Sequence, residues 1–386
     1  MCERVNQIWK DSLDVAFKPR TRLECDEWAE ANIKLSATAE PGPFRHARRP
    51  YFREPHKWFS DPRINQITCR ASAQVSKTTW IGNCMAYAIC EDPGPIIYAS
   101  SDEKVAKSWV KTRWKPQVED CDALRELKPI DDDDYTNFEM LFKTCPVTIA
   151  GGQSAAGAAS RPARYLFLDE VDKMAKATDD ESDICALFIQ RTRTYKQKRK
   201  VIITSTPTTP KGNVNKHYLK GSQHRYFVKC PHCSDDFCFS FREEFDNGGI
   251  KWPDDCKDED GKWDLDEVAD RATYLCPHCE QHIEQTHQRD MVSNGVWRQT
   301  NPKARKNHIS FHIEERWLQD RRWEDDLIHQ WVVIGIHSLW SHMPFVAIDR
   351  LDQITACAAG QRFNHENTTA TYFIIWNQNG VNQGLT

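Results

Sequence analysis

Short apolar runs separated by longer helical stretches set the pattern of the first two thirds of the chain. Residues 64–68, 95–101 (PIIYASS), 165–168 (YLFL) and 200–204 (KVIIT) each predict a strand. The run 165–168 is continuously apolar, as a strand buried in a parallel sheet requires. Between the strands, residues 80–89 (WIGNCMAYAI) predict an apolar helix. Residues 102–115 predict a second helix, with Lys104, Lys107, Lys111, Arg113 and Lys115 forming a basic face that meets solvent or DNA. Strands alternating with helices predict an α/β fold around a parallel sheet. Val5, Ile8, Trp9, Leu13 and Phe17 predict an amphipathic N-terminal helix. Residues 36–62, with four arginines and two histidines among aromatic rings, read as a connector. The acidic run 131–134 reads as a loop.

Candidate chemistry sits at the ends of the predicted strands. After 64–68 comes Ala71-Ser72-Ala73-Gln74-Val75-Ser76-Lys77-Thr78, followed by Thr79. It matches a phosphate-binding loop, G-x-x-x-x-G-K-[ST], with Ala71 and Ser76 in place of the two glycines. Such a loop turns its backbone N–H groups toward phosphates at a helix N-terminus. Lys77 would reach the β- and γ-phosphates of ATP, and the Thr78 hydroxyl would hold Mg²⁺. Serine at the position before the lysine departs from the pattern, because glycine there tolerates positive φ. About 90 residues on, the run 165–168 ends in Asp169-Glu170. Ligands of open α/β sheets bind at the C-terminal ends of strands. Asp169 is the candidate Mg²⁺ ligand and Glu170 the candidate base for the attacking water. Ser205 and Thr206, at the tip of 200–204, are candidates for sensing the γ-phosphate. The plainer readings are a helix cap at S-K-T, an acidic helix start at Asp-Glu, and a turn before Pro207.

A third constellation is separate. Cys230-Pro-His-Cys233 and Cys276-Pro-His-Cys279 are identical CxxC knuckles with 42 residues between them. Four thiolates in two such pairs predict a closed tetrahedral Zn²⁺ site, structural in role. His232 and His278 are not expected as ligands. The acidic stretch 241–271 must loop out between the knuckles.

These motifs occur in a familiar order. W-A-E-A-N-I-K-L-S-A-T-A-E-P-G-P-F-R (28–45), S-D-P-R (60–63), A-S-A-Q-V-S-K-T (71–78), S-R-P-A-R-Y-L-F-L-D-E-V-D (160–172) and S-T-P-T (205–208) resemble the large subunit of tailed-phage terminases of the lambda-like branch. The resemblance runs from about Trp28 to about Ile313. It implies a P-loop NTPase sheet with helices on both faces, followed by a small zinc ribbon. It implies an ATPase motor that moves double-stranded DNA into a procapsid through a portal, working as a homo-oligomer with a terminase small subunit that meets the N-terminal helix. It also implies an arginine at the γ-phosphate, for which Arg161, Arg164, Arg191 and Arg193 are candidates. The family usually keeps glycine where Ser76 stands. The expected division is an N-terminal helical segment at 1–45, the ATPase domain at 46–225, the zinc ribbon with its insertion at 226–300, and a C-terminal remnant at 301–386.

Composition narrows this further. The 386 residues leave room for two or three domains, and 39% apolar with 28% charged residues predicts a folded soluble protein. Net charge is −4, so any DNA contact must come from local patches. The sequence has no apolar stretch long enough for a membrane-spanning helix and no secretory leader, so the host cytoplasm is the expected site and the 15 cysteines are not expected to form a disulfide framework. Family members continue into a nuclease domain. Only about 70 residues follow Ile313, too few for such a domain, so no working nuclease is expected, as in a truncated or frame-disrupted prophage copy. The alternatives are a non-enzymatic remnant that binds DNA or procapsid, and a helicase-like ATPase.

Overall fold

The computed structural model describes residues 22–36, 41–72, 75–153, 161–175, 183–239, 248–257 and 263–313. The predicted N-terminal helix and the tail beyond Ile313 lie outside these residues. The chain divides into two units, one of residues 1–251 and 273–320, the other of 252–272 and 321–386.

In the first unit, β1 (Lys34–Leu35) and β2 (Gly42–Pro43) form a small antiparallel ladder. The remaining strands, in chain order, are β3 (Gln66–Ala71), β4 (Ile96–Ser100), β5 (Glu139–Leu141), β6 (Pro146–Gly151), β7 (Tyr165–Leu168), β8 (Lys200–Ser205), β9 (His224–Lys229), β10 (Asp236–Phe237), β11 (Gly249–Lys251), β12 (Thr273–Leu275), β13 (His282–Ile283), β14 (Val296–Gln299) and β15 (His308–Ile313). A ten-stranded sheet has the order β10-β9-β15-β3-β8-β7-β4-β6-β5, with β14 also on β9. From β15 to β6 every pairing is parallel. The structure is therefore mixed α/β with a large, mostly parallel sheet. Strands β11, β12 and β13 make a separate antiparallel sheet.

The apolar runs occupy the middle of the sheet. All residues of β4, β7 and β8 are buried. Alternation along β7 sends its side chains to opposite faces. Leu166 and Leu168 join Ile97, Val201, Ile203 and Phe188 in one cluster, with Phe188 on the helix Ile184–Gln190. Tyr165 and Phe167 meet the ring of Phe59 instead, at 5.8 and 5.9 Å between centroids. Phe59 belongs to the helix Arg53–Ser60, within the stretch expected to be a connector. Its buried residues, Pro55, His56 and Phe59, are interleaved with charged ones, so the apolar face is too sparse to stand out in the sequence.

Two further departures concern boundaries. The first strand begins at Gln66 and runs into the candidate loop as far as Ala71. The helix expected at 102–115 is Glu103–Trp109, capped by the Asp102 carboxylate on Val105 N–H, and it continues through a wider turn, Val110–Trp114, into Lys115–Asp120. The run 131–134 includes a short helical turn, Asp132–Asp134.

The second unit, among the described residues, holds the helix Leu265–Arg271, whose Arg271 pairs with Asp255 and Glu267. Trp252 and Trp263 meet edge to face at 6.1 Å.

Candidate functional site

Because β3, β8 and β7 are parallel neighbours, the segments that leave them emerge side by side at one rim. The 71–76 loop leaves β3. Ser205 and Thr206 lie at the end of β8, and Asp169-Glu170 leave β7. The interposed strand β8 brings hydroxyl side chains between the lysine and the acids.

The loop ends at Ser76, which caps the helix Lys77–Glu91 with φ 70° and ψ 26°. This is the left-handed region where L-residues are strained and glycine is not. Ala71 and Val75 are buried, Ser72, Thr78 and Thr79 half-buried; Ala73 and Gln74 lie outside the described residues. Lys77 is only 6% exposed. Its ammonium donates to Ser72 O at 2.5 Å, Ala71 O at 3.4 Å and the Thr206 hydroxyl at 3.1 Å. The lysine thus bridges its own loop and the tip of β8.

Asp169 is the hub. Its Oδ1 accepts from the Thr204 hydroxyl at 2.5 Å and from Glu170 N–H at 3.1 Å. Its Oδ2 accepts from the Thr78 hydroxyl at 3.3 Å and from the Tyr98 hydroxyl at 3.4 Å. Burial pushes its carboxyl above the usual range, and neighbouring Glu170 adds to this; the Thr204 bond, the Lys77 ammonium and Thr78 pull the other way. Burial likewise raises Tyr98, with the Asp169 charge adding to it, so the phenol stays a donor. Glu170 has φ 56°, and its carboxylate faces Lys173 Nζ at 3.1 Å.

The geometry therefore gathers Lys77, Thr78, Asp169, Glu170 and Thr206 at one rim. Ser205 is there too, but its hydroxyl is turned elsewhere: it donates to Thr206 O at 3.0 Å and accepts from Asp172 N–H at 3.2 Å. An ammonium, a threonine hydroxyl and a carboxylate so placed match the oxygen chemistry of a phosphate chain with a divalent cation. Thr78 and Asp169 supply the oxygen donors that suit Mg²⁺.

Sequence reasoning passed over three residues. Thr204 and Tyr98 hold Asp169 from adjacent strands. Asp172 ties the end of β7 to the segment leaving β8: its Oδ1 accepts from Val214 N–H at 2.7 Å, and its Oδ2 from Thr208 N–H at 3.1 Å and the Thr208 hydroxyl at 3.3 Å. A Cβ on Gly212 would come within 2.1 Å of that Oδ2, so a side chain there would displace the Asp172 carboxylate. Thr204 and Asp172 stood inside the motifs already singled out; for Tyr98, buried in an apolar strand, no signal existed.

Arg161, Arg164 and Arg191 lie away from the rim in this chain. Arg164 and Arg191 stand where the chain enters β7 and β8, the opposite ends of those strands. Arg164 is held there by Asp92 at 2.5 Å, while Arg161 pairs with Glu139 on the edge strand β5.

The four knuckle cysteines converge: their sulfurs all lie within 4.8 Å of one another. Cys230 and Cys279 are 3.8 Å apart, Cys233 and Cys276 4.0 Å. A tetrahedral site with metal–sulfur bonds of about 2.3 Å has edges of about 3.8 Å, so the set fits Zn²⁺. The knuckles are built alike. Cys230 N–H donates to Asp235 O and Ser234 N–H to Cys230 O; Cys276 N–H donates to Gln281 O and Glu280 N–H to Cys276 O, all at 3.0 Å. Ser234 and Glu280 both take positive φ. His232 and His278 make contacts elsewhere, with the His282 and Asp236 carbonyls.

Comparison with known proteins bears on the same residues. The family model described as "Phage terminase large subunit gpA, ATPase domain" matches residues 38–297. A curated protein, "Terminase, large subunit" of Enterobacteria phage P21, is 20% identical over 283 residues, covering 70% of this chain and 41% of that protein. The chain thus spans less than half the length of this relative. The rim residues and all four cysteines fall within 38–297.

Proposed function

From the premise that this chain belongs to the phage terminase large subunit gpA family by its ATPase domain, we propose that it hydrolyses ATP at the β3–β8–β7 rim and couples hydrolysis to movement of double-stranded DNA into a procapsid. The observation that supports this most is the convergence of Lys77, Thr206, Thr78 and Asp169 from three adjacent strand ends.

In this reading the phosphates sit at the N-terminus of the helix Lys77–Glu91, whose first amides face them. Lys77 exchanges its carbonyl partners for β- and γ-phosphate oxygens. Thr78 and Asp169 would hold Mg²⁺, which supplies charge neutralisation on the phosphates. Thr204 and Tyr98 fix the Asp169 carboxylate. Glu170 leaves Lys173 to orient the attacking water and take its proton. Thr206, touching Lys77, reports loss of the γ-phosphate, and Asp172 passes that change to the helix Asn213–Lys220. The cysteine cluster would hold Zn²⁺ as a structural crosslink. The partners implied are a small subunit, a portal-bearing procapsid and further copies of the chain.

The test is Mg²⁺-dependent ATP hydrolysis by the purified chain. Glu170→Gln is expected to abolish turnover while keeping nucleotide binding, and Lys77→Ala to lose both. Full turnover in Glu170→Gln would sink the assigned roles. No hydrolysis by the unaltered chain would favour a binding remnant.

A further inference from the structure

We propose that the rim of the sheet opposite Asp169 grips the phosphate backbone of duplex DNA through two loops joined across the start of β3. This takes its ligand from the packaging reading above and adds where on the chain the duplex is held. The chain enters β15, β3, β8 and β7 along this rim.

The loop entering β8, residues 191–199, reads RTRTYKQKR; the one entering β15, residues 300–307, reads TNPKARKN. Neither contains an acid. Arg193, Lys196 and Lys198 are exposed on the first, and Lys303, Arg305 and Lys306 on the second. Asn65, entering β3 between them, sets their spacing. Its side-chain amide donates to Gln197 O at 3.1 Å and Arg199 O at 3.3 Å. Its side-chain oxygen accepts from Asn307 Nδ2 at 2.9 Å, and its backbone N–H donates to Asn307 O at 2.9 Å. Lys200, buried at the start of β8, donates to Ile64 O at 2.6 Å and to Asp61 O, tying in the 61–64 turn.

The nearby acids do not cancel the patch. Asp61 is paired with Arg63 at 2.7 Å, and Asp92 with Arg22 and Arg164. In a chain of net charge −4, a cationic, acid-free strip is the local feature a polyanion requires. Two strand spacings, about 10 Å, separate the loops, on the scale of a DNA groove of about 6–12 Å. The two sets of three cations can then lie on phosphates flanking one groove. The only ring on these loops, Tyr195, is half-buried. The exposed set therefore suits a duplex backbone better than stacked single-stranded bases.

The experiment is fluorescence anisotropy of the full chain with a labelled duplex, without nucleotide, across a salt series. If all six cations engage, log Kobs against log salt falls with a slope near −5. Each triple variant, R193A/K196A/K198A or K303A/R305A/K306A, is expected to reduce that slope by about 3 and to bind at least tenfold more weakly at low salt. Slopes and affinities unchanged in both variants, no duplex binding by the unaltered chain, or equal binding of a single strand would each overturn the proposal. DNA-free ATP hydrolysis, measured alongside, reports on the nucleotide reading separately. K303A/R305A/K306A is expected to retain it, so a failed rim and a failed ATPase assignment give different results.

Discussion

Ser76 offers a sharp test of the loop, because its backbone is strained where its side chain does little. It stands at φ 70° and ψ 26° and makes no side-chain capping bond to its helix. A non-glycine residue in this region costs about 1–2 kcal/mol. Glycine removes that strain but adds about 0.4–1 kcal/mol of freedom to the unfolded chain. Ser76→Gly should therefore stabilise by about 0.5–1 kcal/mol. For a domain of this size that is a rise in Tm of about 1–4 °C. Ser76→Val places a β-branched side chain in the same region and should lose about 1–2 kcal/mol relative to serine. The assay is thermal unfolding of the nucleotide-free chain, with Ser76→Ala as a control expected within about 0.5 kcal/mol of serine. A stable Ser76→Val, or a destabilised Ser76→Gly, would refute the left-handed turn and the phosphate cup built on it.

Three further outcomes are expected. Asp172→Ala removes the acceptor for Val214 N–H and Thr208 and should cost about 1–2 kcal/mol; under the ATPase reading it also slows turnover more than it raises KM, and unchanged kinetics would detach Asp172 from the rim. Metal analysis should find one Zn²⁺ per chain, lost in Cys276→Ser, and chelation should lower Tm; a metal-free chain whose Tm ignores added zinc would remove the structural metal. Burial holds the His308 imidazole down to about 4, against about 6.5 in an unfolded chain. Its contribution is present above that higher value and is lost as pH falls toward about 4, because only the unfolded chain takes up the proton. The loss between pH 7 and 5 is about 2 kcal/mol, and urea titrations of His308→Gln should show a correspondingly smaller drop; an equal drop would assign the acid sensitivity to other groups, such as His46, which burial also lowers to about 4.

What could be read from the chain itself was chemistry that is local in sequence. Lys77 and Thr78 adjoin as the phosphate-loop pattern at a helix start places them. Asp169 and Glu170 end an apolar run, and each cysteine knuckle is a four-residue turn. The buried strands 165–168 and 200–204 were legible because a strand covered on both faces must be apolar throughout. Strand order was not legible, since it depends on packing between residues tens to hundreds of positions apart. Only the tertiary structure put β8 between β3 and β7 and so brought Thr204 to Asp169 and Thr206 to Lys77. It alone turned the Ser205 hydroxyl toward Asp172, set β15 beside β3, and carried two basic loops to the entry rim. The reason is that side chains meeting across a sheet are chosen by long-range burial, and no run of consecutive residues encodes that choice.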